Sequence, residues 1–232
     1  MMNISAKAWR RLLVVVTIMG CQGAFATLSA QSVWRDSLAV LNRQIERSPR
    51  NTDLRLKKAA VNIELEQWDY AIEEYGRVLD IEPHNMAALY FRAYAYAHER
   101  MPQLAQHDYE LFLARSPLHF EARLGLAMVK RQMGRSTDAM DELNMLVQQH
   151  PDSALAYAAR ADYERELKQY DTSLFDWDEA LRLQPRNVQF VGAKIELLCT
   201  LRRYDEARRT IDEAIARGVP SAALKHWIDQ LK

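Results

Sequence analysis

Small side chains recur at two fixed places in a 34-residue unit along most of this chain. With the first unit starting at Thr52, the eighth position holds Ala59, Ala93, Ala127, Ala161 and Ile195, and the twentieth holds Ala71, Ala105, Ala139, Ser173 and Ala207. Small residues at regular spacing let two helices cross closely, since a larger side chain would overpack the crossing at roughly 1 to 3 kcal/mol. The pattern predicts a pair of helices repeated five times.

Proline recurs with the same period. Pro49, Pro83, Pro117, Pro151 and Pro185 lie 34 residues apart without slippage. Proline cannot continue a helix, because it lacks the N–H and its ring clashes with the preceding turn. Each proline therefore marks the same break between helices. The predicted repeats are 52–85, 86–119, 120–153, 154–187 and 188–220.

Amphipathic segments flank the repeats and predict capping helices. At the N-terminal side, residues 31–51 hold a helix over 34–47 with Leu38, Leu41 and Ile45 on its inner face. At the other end, residues 221–232 form a short helix with Ser221 as N-cap. Its apolar side consists of Leu224, Trp227, Ile228 and Leu231.

Composition and charge narrow the classes of function. Hydrophobic residues make up 49% of the chain, with only seven glycines and seven prolines, which suits packed helices. The formal net charge is zero, and both signs are interspersed along every predicted helix. A nucleic-acid binder would concentrate basic residues on one face, so nucleic acid is not an expected partner.

The first 30 residues have the layout of a secretory signal peptide. Lys7, Arg10 and Arg11 precede an uncharged stretch that ends in small residues, with cleavage expected after Ala30 or after Ala26. Two alternatives remain: a lipid-modified N-terminus at Cys21, and an uncleaved membrane anchor over 12–34. All three options place the repeats outside the cytoplasm, in the periplasm or associated with the envelope. A membrane contact is expected only through such an anchor or lipid.

Aromatic columns complete the pattern. Position 17 of the unit includes Trp68, Tyr170 and Tyr204, and position 24 reads Tyr75, Tyr109, Leu143, Trp177 and Ile211. Period, small positions, aromatics and proline together resemble the tetratricopeptide repeat. The resemblance implies an all-α, right-handed superhelical solenoid of helix-turn-helix repeats. Position 4, usually a large aromatic in that family, departs from it with Arg55 and Arg123.

The resemblance also implies a concave groove lined by positions 2, 5, 9 and 12 of each repeat, which we call the groove positions. Residues matching a carboxylate clamp are missing there, because Leu56, Ala60 and Tyr90 stand at its positions. The candidate partner-binding residues are an apolar centre and a charged rim, namely Tyr90, Tyr94, Leu124, Met128, Arg131, Asp162 and Arg165. The alternative interpretation is that Tyr90 and Tyr94 only pack against neighbouring helices.

Two charged columns predict ion pairs between helices. Position 7 is basic in Lys58, Arg92, Arg160 and Lys194, and position 23 is acidic in Glu74, Asp108, Glu142 and Asp176. The best matched pairs are Arg92 with Asp108 and Arg160 with Asp176. The columns leave open whether a pair forms within one repeat or reaches the next.

The chain carries no recognisable catalytic or metal motif. Its six histidines show no paired ligand spacing, and no glycine-rich phosphate loop is present. We therefore expect no cofactor, no metal and no enzymatic activity. The function predicted is a scaffold that binds a protein or peptide in the groove, and the alternative is a structural homodimer with an empty groove.

Overall fold

The computed structural model describes the backbone of residues 24–231 and the side chains of residues 33–231. This part of the chain folds into twelve α-helices and one short 3-10 helix, and it contains no strand. The prediction of an all-α fold is confirmed. Cys21 lies outside the described residues, and the side chains of Ala26 and Ala30 lie outside the described side chains.

Ten of the helices form five pairs. The first helices of the pairs are α2 (Thr52–Glu64), α4 (Met86–His98), α6 (Phe120–Gln132), α8 (Ala154–Glu166) and α10 (Val188–Thr200). The second helices are α3 (Trp68–Ile81), α5 (Pro102–Leu113), α7 (Ser136–Gln149), α9 (Tyr170–Leu183) and α11 (Tyr204–Ala216). The first helices start at positions 1 and the second helices at positions 17 of the 34-residue unit.

A side chain before each first helix holds the helix start. Asn51, Asn85, His119, Ser153 and Asn187 each accept a hydrogen bond from a backbone N–H two or three residues further on. Such N-caps satisfy an N–H group that the helix itself leaves unpaired. His119 accepts this hydrogen bond through Nδ1, which requires a neutral ring. Burial lowers the pKa of His119 and favours the neutral form, although the charge of Glu121 acts in the opposite direction.

A residue in the left-handed backbone conformation follows the end of each first helix. Position 15 has a positive φ of 55° to 72° in all five repeats, through Glu66, Arg100, Gly134, Lys168 and Arg202. Only Gly134 adopts this conformation without steric strain. The chain then reverses within three residues into the second helix, so the two helices of each repeat lie side by side.

The small residues at positions 8 and 20 of the repeat lie where helices pack against each other. All five residues at position 20 are fully buried, and at position 8 every residue is at most 2% exposed. Ser173, the only hydroxyl among them, donates a hydrogen bond of 2.7 Å to the carbonyl of Ala161 across the helix pair. Each helix packs against its neighbours in chain order, and three adjoining apolar clusters run from Ala59 to Leu231.

Capping helices cover both ends. Helix α1 (Ala24–Arg47) begins ten residues before the predicted 34–47, and it packs on α2 with Leu41 buried. No helix within the described residues is both long and apolar enough to cross a membrane.

The C-terminal cap differs from its prediction. Ser221 is not an N-cap, because it is the first residue of a 3-10 helix (Ser221–Leu224) and makes no side-chain capping bond. Helix α12 (Lys225–Gln230) follows directly, so the cap starts with a tighter turn instead of a capped α-helix. Leu224 and Leu231 are buried against the last repeat as expected, with Trp227 and Ile228 half-buried beside them.

Gly192 makes room for the C-terminal cap. A Cβ atom at Gly192 would lie 2.4 Å from the Trp227 ring, closer than real Cβ contacts come. We expect Gly192→Ala to displace Trp227 and to lower the free energy of unfolding by about 1 to 3 kcal/mol. Urea unfolding with tryptophan fluorescence measures both effects. A matched Gly76→Ala variant, whose Cβ would meet only an arginine tip at 3.8 Å, should leave the fluorescence unchanged. Equal stability of the two variants would contradict this packing.

Candidate functional site

Tyr90 lies in the core rather than on the open groove. Its side chain is 9% exposed, and its ring packs against those of Tyr109, Phe112 and His119 at centroid distances of 5.4 to 6.1 Å. Burial raises the pKa of Tyr90 well above its ordinary value, with the charge of Glu121 acting in the same direction. The packing alternative therefore describes Tyr90 better than the ligand-binding one. Its groove position is filled by bulky side chains from α5 and by the following junction.

Tyr94, one helical turn after Tyr90, is half-buried and belongs to an aromatic group that was not predicted from the sequence. Its ring lies 4.5 Å from that of His98 and 5.9 Å from that of Trp68, and Trp68 stacks on His98 at 4.2 Å. Trp68 begins α3, so the contact joins two repeats. The signal was available in the sequence, because His98 follows Tyr94 by one helical turn.

Apolar side chains at groove positions of α6 and α8 are accessible. Met128 is 37% exposed, and Leu124, one turn before it, is half-buried against the third apolar cluster. Leu155, the groove residue at position 2 of the fourth repeat, is 46% exposed. Leu155 was not among the predicted centre residues, although it occupies a groove position.

The predicted rim residues come together in an ion-pair network between the third and fourth repeats. Arg131 contacts Asp162 at 3.4 Å and also Glu166, while Arg165 contacts Asp162 at 2.8 Å. The Arg131 guanidinium also lies 5.4 Å from the centre of the Tyr163 ring. Two basic and two acidic groups balance, so the rim has no net charge. Glu166, the fourth member, follows Asp162 by one helical turn and was not predicted.

The two best matched ion pairs form as predicted, each within one repeat. Arg92 donates two hydrogen bonds to Asp108, at 2.6 and 2.9 Å, and Arg160 donates two to Asp176, at 2.6 and 2.8 Å. Lys58 contacts Glu74 at 2.9 Å in the same way. Burial favours a lower pKa for Arg92, but its hydrogen bonds and attraction to Asp108 raise the pKa above the ordinary value.

The remaining charged positions pair differently from the prediction. Glu142 has no basic residue at position 7 of its own repeat and instead contacts Arg123 and Lys130, at 2.6 and 2.8 Å. Lys194 reaches back to Asp178 in the preceding repeat, at 2.6 Å, since position 23 of the fifth repeat is Thr210. One pair therefore crosses between repeats, and the others stay within one.

The arginines at position 4, which depart from the family pattern, have a structural role. Arg55 donates to the carbonyl of Pro49 at 2.7 and 2.9 Å and to Glu74 at 2.7 Å. Arg123 makes the matching bonds to Pro117 at 2.7 Å and Glu142 at 2.6 Å. Each arginine thus ties the preceding proline junction to the second helix of its own repeat. Burial favours a higher pKa for Glu74, but bonds from Lys58 and Arg55 lower it overall.

Within the described residues, no group of three or more His, Cys, Asp or Glu side chains is placed to hold a metal ion. Helices α6 and α8 carry exposed apolar side chains and a charge-balanced rim. We call this combination the groove patch and define it by Leu124, Met128, Leu155, Arg131 and Asp162. Exposed Met and Leu side chains of this kind supply adaptable contact area.

Comparison with known proteins supports the repeat architecture. Two family models described as tetratricopeptide repeat match residues 96–163 and 158–223, which together span more than half of the chain. No curated protein matches this chain.

Solved structures of low sequence identity share the fold. The chain is similar to MamA, with a TM-score of 0.61 at 18% identity over 71% of this chain and 90% of that one. It is also similar to a tetratricopeptide repeat protein from Parabacteroides merdae, with a TM-score of 0.63 at 18% identity over 88% of this chain and 79% of that one. YrrB, described as a repeat protein with an unusual peptide-binding site, matches with a TM-score of 0.57 at 14% identity over 80% of this chain and 96% of that one.

Proposed function

This chain belongs to the tetratricopeptide repeat family, and from that premise we propose that it is a scaffold that binds a protein or peptide segment in its groove, outside the cytoplasm. Proteins of this family generally bind protein or peptide partners and are generally non-catalytic. The observation that carries the proposal is the groove patch, where Met128 and Leu155 stay exposed at groove positions of adjacent first helices. The basic and apolar N-terminal segment supports export.

The groove patch favours a partner segment with apolar side chains and little net charge. Arg131 and Arg165 already contact Asp162 and Glu166, so the rim offers no uncompensated charge to a strongly acidic or basic ligand. Contiguous exposed apolar surface marks interaction sites on soluble proteins. Tyr94, at a groove position of the second repeat, contacts the rings of Trp68 and His98.

We expect Met128→Ser/Leu155→Ser to weaken binding of groove ligands at least about tenfold while leaving stability within about 0.5 kcal/mol, because both side chains are partly exposed. The ligands are peptides selected on the full chain from a random library, and affinity is measured by fluorescence anisotropy. Tyr70→Ser/Leu104→Ser, at exposed positions of second helices, is the matched control and should bind like the natural chain. Equal loss in both variants, or no loss in the groove variant, would refute the groove proposal.

A second candidate function is self-association through the second helices. Tyr70 and Leu104 occupy the same position, 19, in α3 and α5, and they are 62% and 48% exposed. Leu111, two turns after Leu104 on α5, is also exposed. A homodimer that buries this face would separate into monomers in the Tyr70→Ser/Leu104→Ser variant. Sedimentation equilibrium decides the matter, and a natural chain that stays monomeric at all concentrations excludes the dimer.

A further inference from the structure

A pocket of about 620 Å³ opens between α9 and α11, with α10 at its base. Its apolar floor includes Leu181, Val191 and Ala214, and Pro185 lies at its edge. No groove position lines the pocket, so it is separate from the groove patch. Its size falls in the range of pockets that enclose small ligands or a few peptide residues.

The pocket occupies a place that an arginine at position 4 fills in the first and third repeats. In the first repeat, position 4 is Arg55, whose guanidinium bonds the Pro49 carbonyl and Glu74. In the fifth repeat, position 4 is Val191 and position 23 is Thr210, and the Thr210 hydroxyl donates to the carbonyl of Glu206 at 2.9 Å. Neither side chain reaches across the space between the helices. The cavity therefore follows from the short side chains at positions 4 and 23 of the fifth repeat.

Four basic and three acidic side chains line the pocket. Three of the basic groups have carboxylate partners: Lys194 contacts Asp178 at 2.6 Å, Arg182 contacts Glu179 at 2.9 Å and Arg217 contacts Glu213 at 3.7 Å.

Arg186 is the fourth basic group. Its Nε donates to the backbone carbonyl of Arg217 at 2.7 Å, and it pairs with no carboxylate in the described part of the chain. The lining thus keeps one positive charge that a ligand can neutralise, held beside apolar surface.

We propose that this pocket binds a carboxylate of a partner peptide at Arg186, with an adjacent apolar side chain over Val191 and Leu181. A guanidinium presents paired N–H donors that match the two oxygens of a carboxylate. A cationic ligand fits less well, because four basic groups line the space and the acid of position 23 is replaced by Thr210. The carboxylate belongs either to an acidic side chain or to a peptide C-terminus, and these two sources share one chemistry.

The probes are short capped peptides added to the full isotope-labelled chain. Acetyl-Gly-Leu-Asp-Leu-Gly-amide is compared with its Asn counterpart, and acetyl-Gly-Leu-Leu with a free carboxylate is compared with its amide. Chemical shifts of the Arg186 Nε–H group and the Val191 amide report binding. At least one carboxylate peptide should bind about tenfold or more tighter than its neutral counterpart. The pair that shows this ratio identifies the source of the carboxylate.

A first variant removes the proposed anchor. Arg186→Gln should weaken the carboxylate peptide at least about tenfold and bring it to the affinity of the neutral one. Arg209→Gln, which removes an exposed charge from α11 outside the pocket, is the matched control and should leave both affinities unchanged.

A second variant closes the pocket without unfolding the repeat. Val191→Arg/Thr210→Glu, together with the natural Lys194, reproduces the set of Arg55, Lys58 and Glu74 that fills this place in the first repeat. It should abolish peptide binding while the chain keeps its helical circular dichroism and its Tm. Three results would each overturn the proposal. The first is equal affinity within both peptide pairs, Asp against Asn and free carboxylate against amide. The others are tighter binding of an Arg peptide of the same length and full peptide binding by this variant.

Discussion

We expect Asp108→Ala to lower the free energy of unfolding by about 3 to 5 kcal/mol. Asp108 is 1% exposed, and it accepts two hydrogen bonds from Arg92, at 2.6 and 2.9 Å. Removing the carboxylate leaves the guanidinium in the joint between α4 and α5 without its partner. The loss of a partner costs more than the pair contributes, because the remaining Arg92 charge stays partly desolvated. Urea unfolding followed by far-ultraviolet circular dichroism measures the change.

Two controls separate burial from charge in this experiment. Glu73→Ala removes one partner of the exposed Glu73–Arg77 pair and should cost less than about 1 kcal/mol, since water screens such pairs. Arg92→Met/Asp108→Leu replaces the buried carboxylate and its half-buried partner with apolar side chains and should recover most of the lost stability. The interpretation fails if Asp108→Ala is no more destabilising than Glu73→Ala.

We expect Glu164→Gln to stabilise the protein in neutral and alkaline solution but not in acid. Glu164 is 7% exposed, and its Oε2 atom has no hydrogen-bond partner. Burial and the nearby charge of Asp176 raise its pKa from 4.5 to about 7, while Arg160 and a hydrogen bond with Thr172 act in the opposite direction. The same position in the third repeat is Lys130, which pairs with Glu142 at 2.8 Å. The fourth repeat thus places an acid where the third has a base.

The sign of the pH dependence follows from the two pKa values. Below pH 4.5, Glu164 is protonated in both the folded and the unfolded chain, so its raised pKa has no effect on stability. As the pH rises from 4.5 to about 7, the unfolded chain loses this proton first, and stability falls. Above the folded pKa, the full penalty remains, on the order of 3 kcal/mol.

Comparison of unfolding curves at several pH values tests this prediction. Glu164→Gln should gain up to about 3 kcal/mol over the natural chain at alkaline pH and match it in acid, because Gln resembles the protonated carboxyl. Glu110→Gln, which makes the same exchange at an exposed position of α5, is the matched control for the loss of a carboxylate. A pH-independent effect of Glu164→Gln would mean that the buried carboxyl does not titrate between these limits.

The arrangement of helices could be predicted from the sequence because it depends on local rules repeated five times. The proline period and the small columns specify where helices end and where they cross, as at Ala59 and Ala71. The charged columns likewise predict Arg92 with Asp108, since both partners lie on the facing sides of one helix pair. Such features need only the helical period and the identity of each residue.

The candidate site was predicted only in part. The sequence places Tyr90 at a groove position, but Phe112 and His119 come from other elements and cover its ring. Met128 occupies a different groove position, position 9 of the next repeat, and is 37% exposed. Periodicity assigns a residue to a face of its helix, and it does not tell how much of that face the neighbouring helices cover.

The sequence by itself determined the helix pairs, their order and the small contacts that let them stack. Only the tertiary structure decided which groove residues stay accessible, which acid Lys194 contacts, and that Val191 and Thr210 leave a pocket beside Arg186. The physical reason is reach. Helix formation and crossing depend on spacing along the chain, whereas side-chain pairing and cavities depend on how far long side chains from different helices extend into the same space.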